Sequence, residues 1–126
     1  MKSFLFGLLF LTSCLSWSVD KSYIGLVKIN GKNMYVDYSP AMPRKPTVVL
    51  VNGLTYSTRN WAGVAQYFKA SGYGVLRFDM AGMGMTLLSN PLPTRPVLYA
   101  QQAVDLKALL MTLKIRGPYH LAGLSY

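Results

Sequence analysis

The stretch GYGVLRFDMAGMGMT, residues 72–86, decides the fold class of this chain. Residues 73–78 are mostly apolar and predict a buried strand. Gly72 stands just before it, where the left-handed conformation of a helix cap favours glycine. Glycines and prolines are frequent after the strand, and they predict that residues 79–96 form a loop. The stretch therefore reads as the end of a helix, a strand and a glycine-rich loop.

The segments that precede this stretch predict three more strands. Residues 47–51 are continuously apolar and β-branched, which suits a central strand buried on both faces. Residues 23–29 and 33–38 flank Asn30-Gly31, a dipeptide that favours tight hairpins because both of its residues tolerate a positive φ. We therefore expect an antiparallel hairpin followed by a central strand.

Two helices separate the remaining strands. The first places an apolar set at helical spacing on one face, namely Trp61, Val64, Ala65 and Phe68. The second is predicted over residues 97–115, with an inner face of Ala103, Leu106, Leu110 and Leu113 and a solvent face of Gln101, Asp105, Thr112 and Arg116. A last strand is predicted over residues 119–122. Strands that alternate with helices indicate a parallel sheet with right-handed crossovers, so the predicted class is α/β.

Two short motifs follow predicted strands. Gly123-Leu124-Ser125-Tyr126 comes directly after the last strand, where a sharp turn into a helix would expose the serine hydroxyl. A serine in this place is also common as the cap of the next helix. Asn52-Gly53-Leu54 follows the central strand and could equally form a plain turn.

The loop after residues 73–78 carries Asp79, Gly82 and Gly84. A glycine-rich loop can cradle phosphate, but no Gly-Lys-Ser or Gly-Lys-Thr follows here. Leu87 stands where the third glycine of a dinucleotide-binding fingerprint is required. Phosphate and dinucleotide binding are therefore not expected.

In order and spacing, these three segments resemble the α/β-hydrolase fold family of serine hydrolases, which includes esterases and lipases. Residues 123–126 match the first four positions of its Gly-x-Ser-x-Gly nucleophile elbow. Residues 52–54 resemble its His-Gly-x oxyanion loop, with Asn52 in place of histidine. Residues 72–86 resemble its Gly-Tyr-x-Val and Asp-x-x-Gly-x-Gly-x-Ser segments, with Thr86 in place of the usual serine. The resemblance covers about residues 24–126.

The resemblance implies the N-terminal half of an α/β-hydrolase fold and a set of site residues. Ser125 would be the nucleophile, and the backbone N–H groups of Leu54 and Tyr126 would form the oxyanion hole. The supporting motif positions would be Asn52, Gly53, Asp79, Gly82, Gly84 and Gly123. A serine rather than an aspartate at the elbow argues against the dehalogenase and epoxide-hydrolase branches. A cofactor-free haloperoxidase-like activity stays open, and the implied substrate is a small molecule with an acyl bond.

A serine hydroxyl needs a base and an acid, and the family supplies them after the serine, first Asp or Glu and then His. We therefore expect both beyond residue 126, and we expect the chain to be a truncated, N-terminal part that is inactive alone. The only histidine, His120, precedes the serine and is predicted to be structural, facing the packing of the sheet. Neither a cofactor nor a metal is expected, since the single cysteine rules out a cysteine cluster.

Residues 1–18 are predicted to be a signal peptide, and residues 19–126 a partial α/β-hydrolase domain. Lys2 is followed by an apolar run that is much shorter than the about 20 residues of a membrane-spanning helix. The segment before Cys14 resembles a bacterial lipobox, so the signal would end at residue 13 and Cys14 would be lipidated. Cleavage before Val19 is the alternative. We expect an exported protein, favouring a membrane-tethered lipoprotein over a periplasmic or secreted one.

The net charge is +9, with 13 Lys and Arg residues and four Asp and Glu residues. The basic residues are scattered and no nucleic-acid motif is present, so a solvated basic surface is predicted and nucleic acid is not an expected partner. Hydrophobic residues make up 52% and charged residues 13%, which argues against disorder. Two other functions stay open, a non-catalytic surface binding protein with this fold and an inactive gene remnant.

Overall fold

A computed structural model describes residues 21–124 of the chain. The predicted signal peptide with Cys14, and the residues Ser125 and Tyr126, lie outside this range. Within it, no helix combines the length and the apolar character that crossing a membrane would require.

The described chain forms five strands and three α-helices. The strands are β1 (Tyr23–Ile29), β2 (Lys32–Ser39), β3 (Thr47–Val51), β4 (Gly74–Phe78) and β5 (Tyr119–Gly123). The helices are α1 (Ala62–Ala70), which follows a 3₁₀ turn at Thr58–Trp61, α2 (Gly84–Leu88) and α3 (Tyr99–Thr112). The predicted hairpin is confirmed, with φ of 47° at Asn30 and 80° at Gly31.

The strands form one mixed sheet in the order β1-β2-β4-β3-β5. The hairpin is antiparallel, and β2 also pairs antiparallel with β4. Strand β3 lies in the middle of a parallel unit, between β4 and β5. Because the chain moves from β3 to β4 and then back across β3 to β5, right-handed crossovers require α1 and α3 to lie on opposite faces.

The apolar core confirms this two-sided arrangement. Val48 and Leu50 of β3 pack on the face that α1 covers, together with Ala65. Val49 packs on the other face, in the larger cluster that contains Leu109 of α3. Successive side chains of a strand point to opposite faces, so one buried strand serves both layers.

Two predictions for residues 61–96 are wrong in part. Val64 is 41% exposed, because the face of α1 that packs on the sheet carries Ala65 and Phe68 and leaves Val64 at its margin. Residues 84–88 form a short helix within the predicted loop, because the loop folds back over the sheet and buries Thr86.

The predicted inner face of α3 is confirmed for Leu106, Leu110 and Leu113, which pack against the core, but the bounds of the helix and two side chains need correction. The helix spans residues 99–112 rather than 97–115, and it buries Leu109 while Ala103 is exposed. Asp105, expected on the solvent face, is 1% exposed. It accepts a hydrogen bond from Asn30 at 2.8 Å and pairs with Lys32 at 2.9 Å, so it ties α3 to the hairpin turn.

Candidate active site

The parallel strands β3, β4 and β5 end at the same edge of the sheet, which we call the carboxyl edge. Val51 pairs with Gly123, and Leu50 pairs with Arg77 next to the end of β4. The N–H of Leu124 donates to the carbonyl oxygen of Val51 at 3.1 Å. The three segments singled out in the sequence therefore leave the sheet side by side, where open α/β sheets place their ligand sites.

Asp79 is the centre of the hydrogen bonding at this edge. It is fully buried, directly after β4. Its Oδ1 accepts the N–H of Thr58 at 2.7 Å, and its Oδ2 accepts the N–H of Met85 at 2.8 Å. Because a buried carboxylate is costly without partners, these two backbone donors hold the side chain in one orientation. Asp79 thereby connects the loop after β3 with the loop after β4.

Asn52 is also fully buried, at the start of the loop after β3. Its Nδ2 donates to the carbonyl oxygen of Phe78 at 3.0 Å and lies 3.5 Å from Asp79 Oδ1. The NH₂ group of the Asn52 side chain therefore connects the ends of β3 and β4. This hydrogen bond explains why a polar residue is buried in the segment that resembles the oxyanion loop.

Thr86, on α2, is another buried polar residue at this edge. Its hydroxyl donates to the carbonyl oxygen of Asp79 at 2.7 Å and accepts the N–H of Tyr35 at 2.8 Å. The hydroxyl thus links the glycine loop to β2. A serine at this position would supply the same hydroxyl, so the departure from the family pattern keeps the hydrogen bonds.

The two glycines of the loop have positive φ, 81° at Gly82 and 50° at Gly84. A Cβ at Gly84 would lie 2.2 Å from Asp79 Oδ2, far inside van der Waals contact. Gly84 is therefore needed for both its backbone conformation and the close approach of the Asp79 carboxylate.

The loop after β3 presents Leu54 at the surface, 60% exposed. Within residues 21–124 the N–H of Leu54 donates no hydrogen bond. Gly53 is buried without a positive φ, and the left-handed residue of this loop is Thr55, with φ of 68°. The chain turns here, since the N–H of Tyr56 donates to the carbonyl oxygen of Gly53 at 3.2 Å.

A cleft of about 530 Å³ lies next to Leu54, between the loops after β3 and β4. Leu54 and Thr55 line one side, and Gly82, Met83 and Val97 are among the residues of the other. No charged side chain is among the described residues that line it. The volume falls in the range of about 300–1,000 Å³ that is typical of small-molecule sites.

Gly123 is the last residue of β5, and the other predicted site residues follow it in the sequence. Ser125 and Tyr126 are outside the described residues, so their geometry stays a prediction. At Gly123, a Cβ would meet no atom within 4 Å in the described part of the chain.

His120 does not belong to this group. It pairs with Val48, the second residue of β3, and it lies three residues before Gly123, a distance of about 10 Å along the strand. The prediction that it faces the packing of the sheet is wrong, because β5 is the outermost described strand and His120 is exposed. Among residues 21–124, no three His, Cys, Asp or Glu side chains are grouped so as to hold a metal ion.

Sequence reasoning missed Thr58 and Tyr35 as parts of the site. Both take part through their backbone N–H groups, which every residue other than proline possesses. Only the buried Asp79 hints at them, since a buried carboxylate must find donors nearby. Asn52, Asp79, Gly82 and Gly84 were found from the sequence, and the structure brings them together.

Several solved structures share the fold of this chain. An α/β hydrolase enzyme from a Medee basin deep-sea metagenome library matches with a TM-score of 0.68 at 23% identity, over 81% of this chain and 35% of that chain. The enol-lactonase from Burkholderia xenovorans matches with a TM-score of 0.66 at 26% identity, over 79% of this chain and 36% of that chain. The chain has the α/β-hydrolase fold.

An epoxide hydrolase from Vigna radiata shares the fold as well, with a TM-score of 0.68 at 21% identity, over 86% of this chain and 33% of that chain. The described part corresponds to the N-terminal half of the α/β-hydrolase fold, as the sequence predicts. The chain spans about a third of the length of these solved structures. No protein-family model and no curated protein matches the sequence.

Proposed function

We propose that this chain supplies the nucleophile and the oxyanion hole of an exported serine hydrolase that cleaves esters, amides or related acyl bonds. The observation that carries the proposal is the convergence at the carboxyl edge. Gly123 pairs with Val51, so the segment that leads to Ser125 leaves the sheet beside the loop that presents Leu54. A nucleophile and an oxyanion donor must lie this close together to act on one carbonyl group.

In the proposed reaction the Ser125 hydroxyl attacks the carbonyl carbon and the N–H groups of Leu54 and Tyr126 stabilise the oxyanion. Ser125 follows Leu124 directly, and consecutive Cα atoms are about 3.8 Å apart. Leu124 is itself hydrogen-bonded to Val51, three residues before Leu54. The N–H of Leu54 has no acceptor among the described residues, which favours a role toward substrate. The uncharged cleft beside Leu54 would receive the acyl group.

The base and the acid that activate Ser125 would come from residues after Tyr126, in the order acid and then histidine. His120 is exposed on β5 and precedes Ser125 in the sequence, whereas the family order puts the histidine after the serine, so His120 is not the base of the proposed reaction. The acyl-bond class also agrees with one neighbour, since an enol-lactonase by its name acts on an enol lactone, which is an ester. Position 125 is a serine rather than the aspartate of the epoxide-hydrolase branch, which argues against epoxide hydrolysis.

The test compares Ser125→Ala with Ser22→Ala in the protein produced from its own gene. Ser22 is exposed just before β1, on the other side of the sheet from the carboxyl edge. Hydrolysis of p-nitrophenyl butyrate is expected to fall at least about a thousandfold in Ser125→Ala and to stay unchanged in Ser22→Ala. Equal rates in the two variants, or no esterase activity in the unaltered protein, would reject the proposal in favour of a non-catalytic binding protein.

We further propose that the protein is exported and carries lipid on Cys14. The basis is the sequence, an apolar run after Lys2 with the only cysteine behind it. Mass spectrometry of the mature N-terminus decides the matter. A lipidated Cys14 at the N-terminus is the expected result, whereas an N-terminus at Val19 would mean ordinary signal cleavage.

A further inference from the structure

The sheet has a second edge, opposite the carboxyl edge, which we call the amino edge. Strands β1, β3, β4 and β5 all begin there, because Tyr23 pairs with Tyr38 near the end of β2, and Thr47 pairs with both Gly74 and Tyr119. The segments that lead into these strands therefore lie together at this edge. They are residues 21–22, 40–46, 71–73 and 113–118.

Exposed cations are concentrated in these segments. They are Lys21, Arg44, Lys45, Lys114 and Arg116, all of them exposed. The sequence separates Arg44-Lys45 from Lys114 and Arg116 by some 70 residues, so it shows no basic run. The parallel pairing of β3 with β5 brings the two groups to the same edge.

No acidic side chain neutralises this edge in the described part of the chain. Asp37, Asp79 and Asp105 are all buried. Asp37 pairs with Arg77 and Lys69, and Asp105 pairs with Lys32. The surface of residues 21–124 therefore presents cations without exposed carboxylates. Asp20, next to Lys21 in the sequence, lies outside the described residues.

The amino edge also exposes apolar side chains. Met42 is 64% exposed in the loop that carries Arg44 and Lys45, and a hydrogen bond from its N–H to the carbonyl oxygen of Gly72 holds this loop against the end of α1. Met111, in the last turn of α3, is 70% exposed. Unbranched methionine side chains beside cations suit a partner that is anionic at its surface and apolar just below it.

From these observations we propose that the amino edge binds the surface of an anionic phospholipid bilayer. Each Lys or Arg near such a surface adds to the attraction, and exposed apolar side chains can enter the headgroup region. The five-residue strands β3 and β4 would keep the carboxyl edge about 17 Å farther from the lipid, open to water. The proposal depends neither on hydrolase activity nor on lipid at Cys14.

The start of the described chain fits this orientation. Lys21 precedes β1 at the amino edge, and Cys14 stands seven positions before Lys21 in the sequence. A single acyl chain binds membranes only weakly, and a basic patch is the usual second contribution. A nucleic acid is the less fitting partner, since these cations do not follow a helix or a groove and lie beside exposed methionines.

The test measures co-sedimentation with vesicles at physiological ionic strength. The protein carries Cys14→Ser, so that no acyl chain contributes, and the vesicles contain phosphatidylcholine alone or with one-quarter phosphatidylglycerol. The edge variant combines R44E, K45E, K114E and R116E. The control combines K28E, R59E, R95E and K107E, exposed cations outside the amino edge with the same change in net charge. Far-ultraviolet circular dichroism and Tm establish that both variants are folded.

We expect binding only to the anionic vesicles, a loss of at least tenfold in the edge variant and a clearly smaller loss in the control. Equal losses in the two variants, or no loss in either, would overturn the proposal. Equal binding to neutral vesicles, or tighter binding to duplex DNA at the same ionic strength, would overturn it too.

A second measurement needs no charge reversal and remains decisive if the edge variant fails to fold. A fluorophore is attached at Met42→Cys or at Leu92→Cys in the Cys14→Ser protein, and the anionic vesicles contain brominated lipid. Leu92 is 76% exposed in the loop after α2, at the carboxyl edge. Quenching at position 42 but not at position 92 is expected. Equal quenching at both positions, or quenching at position 92 alone, contradicts the proposed orientation.

Discussion

The backbone N–H of Leu124 donates to the carbonyl oxygen of Val51 at 3.1 Å. This bond extends the pairing of β5 with β3 by one residue and connects two segments that lie about 70 residues apart in the sequence. On one side the chain continues to Ser125, and on the other to Asn52, Gly53 and Leu54. The proposed function depends on this adjacency.

The role of the Leu54 N–H as an oxyanion donor can be tested by removing it. Leu54→Pro deletes the N–H, whereas Leu54→Ala keeps it and shortens a side chain that is 60% exposed. In the protein produced from its own gene, we expect kcat for ester hydrolysis to fall about 10²–10³-fold in Leu54→Pro, with little change in KM. Leu54→Ala should stay within a few-fold of the unaltered protein, and equal losses in the two would contradict the role. Circular dichroism checks the fold of both.

Asp79→Asn tests the hydrogen bonds that connect the two loops. An asparagine can accept from Thr58 or from Met85, but its amide group then opposes the other N–H donor. A buried donor left without an acceptor costs about 1–3 kcal/mol, so the free energy of unfolding in urea should fall by this amount. A urea midpoint that does not change would show that Asp79 does not hold the loops together.

Gly84→Ala should destabilise the protein far more than the same change at Gly63. The new Cβ at position 84 would lie 2.2 Å from Asp79 Oδ2 and would have a φ of 50°, whereas nothing lies within 4 Å at position 63 on α1. We expect Gly84→Ala to cost at least about 2 kcal/mol from backbone strain and displacement of the carboxylate. Gly63→Ala should be neutral or stabilise by up to about 1 kcal/mol. Thermal unfolding of both variants gives the comparison, and similar Tm values would refute it.

Lys32→Met should lower the free energy of unfolding, because it removes the cation that pairs with the buried Asp105. Lys32 is half-buried and pairs with the carboxylate at 2.9 Å, and its removal leaves a charge that is 1% exposed with neutral partners only. A loss of about 1–3 kcal/mol is expected, and the added change Asp105→Asn should restore part of it. Lys28→Met, an exposed lysine on β1, is the control and should have little effect on the urea midpoint. No recovery in the double variant would mean that the ion pair is not the cause.

Much of the architecture follows from local signals in the sequence. Asn30-Gly31 predicts the hairpin, and the apolar run at residues 47–51 predicts a strand buried on both faces. Gly72 has the predicted positive φ, 82°, at the end of α1. These predictions succeed because turn chemistry and strand burial depend on a few neighbouring residues.

The errors arise where distant partners decide the outcome. The sequence predicts Asp105 in solvent because a lone carboxylate on a helix is normally exposed, yet Asn30 and Lys32 supply the partners that its burial requires. Helix α2 was missed because Gly84 and the nearby prolines indicate a loop, while the hydrogen bonds of Thr86 hold this segment on the sheet. The partners of Asp105 and of Thr86 cannot be identified from the sequence, because they depend on how the strands pair.

The candidate site was likewise predicted only in part from the sequence. The resemblance to the α/β-hydrolase family implies Asn52, Asp79, Gly82 and Gly84, and the structure brings them together at the carboxyl edge. The backbone donors of Thr58 and Met85 were not predicted, because nearly every residue has a backbone N–H and the sequence does not show which of them donates to Asp79. The assignments of Ser125 and Tyr126 rest on the motif and on the position of Leu124.

The most direct test of the serine hydrolase is to react the native protein with a fluorophosphonate and to locate the adduct. Such reagents phosphonylate a serine that is activated by a base beside an oxyanion hole. Trypsin cleaves after Arg116, so Ser125 falls in the peptide that begins at Gly117. We expect a single adduct, on Ser125, that is lost when the protein is unfolded before the reaction. Ester hydrolysis without an adduct on Ser125, or an adduct on another serine, would contradict it.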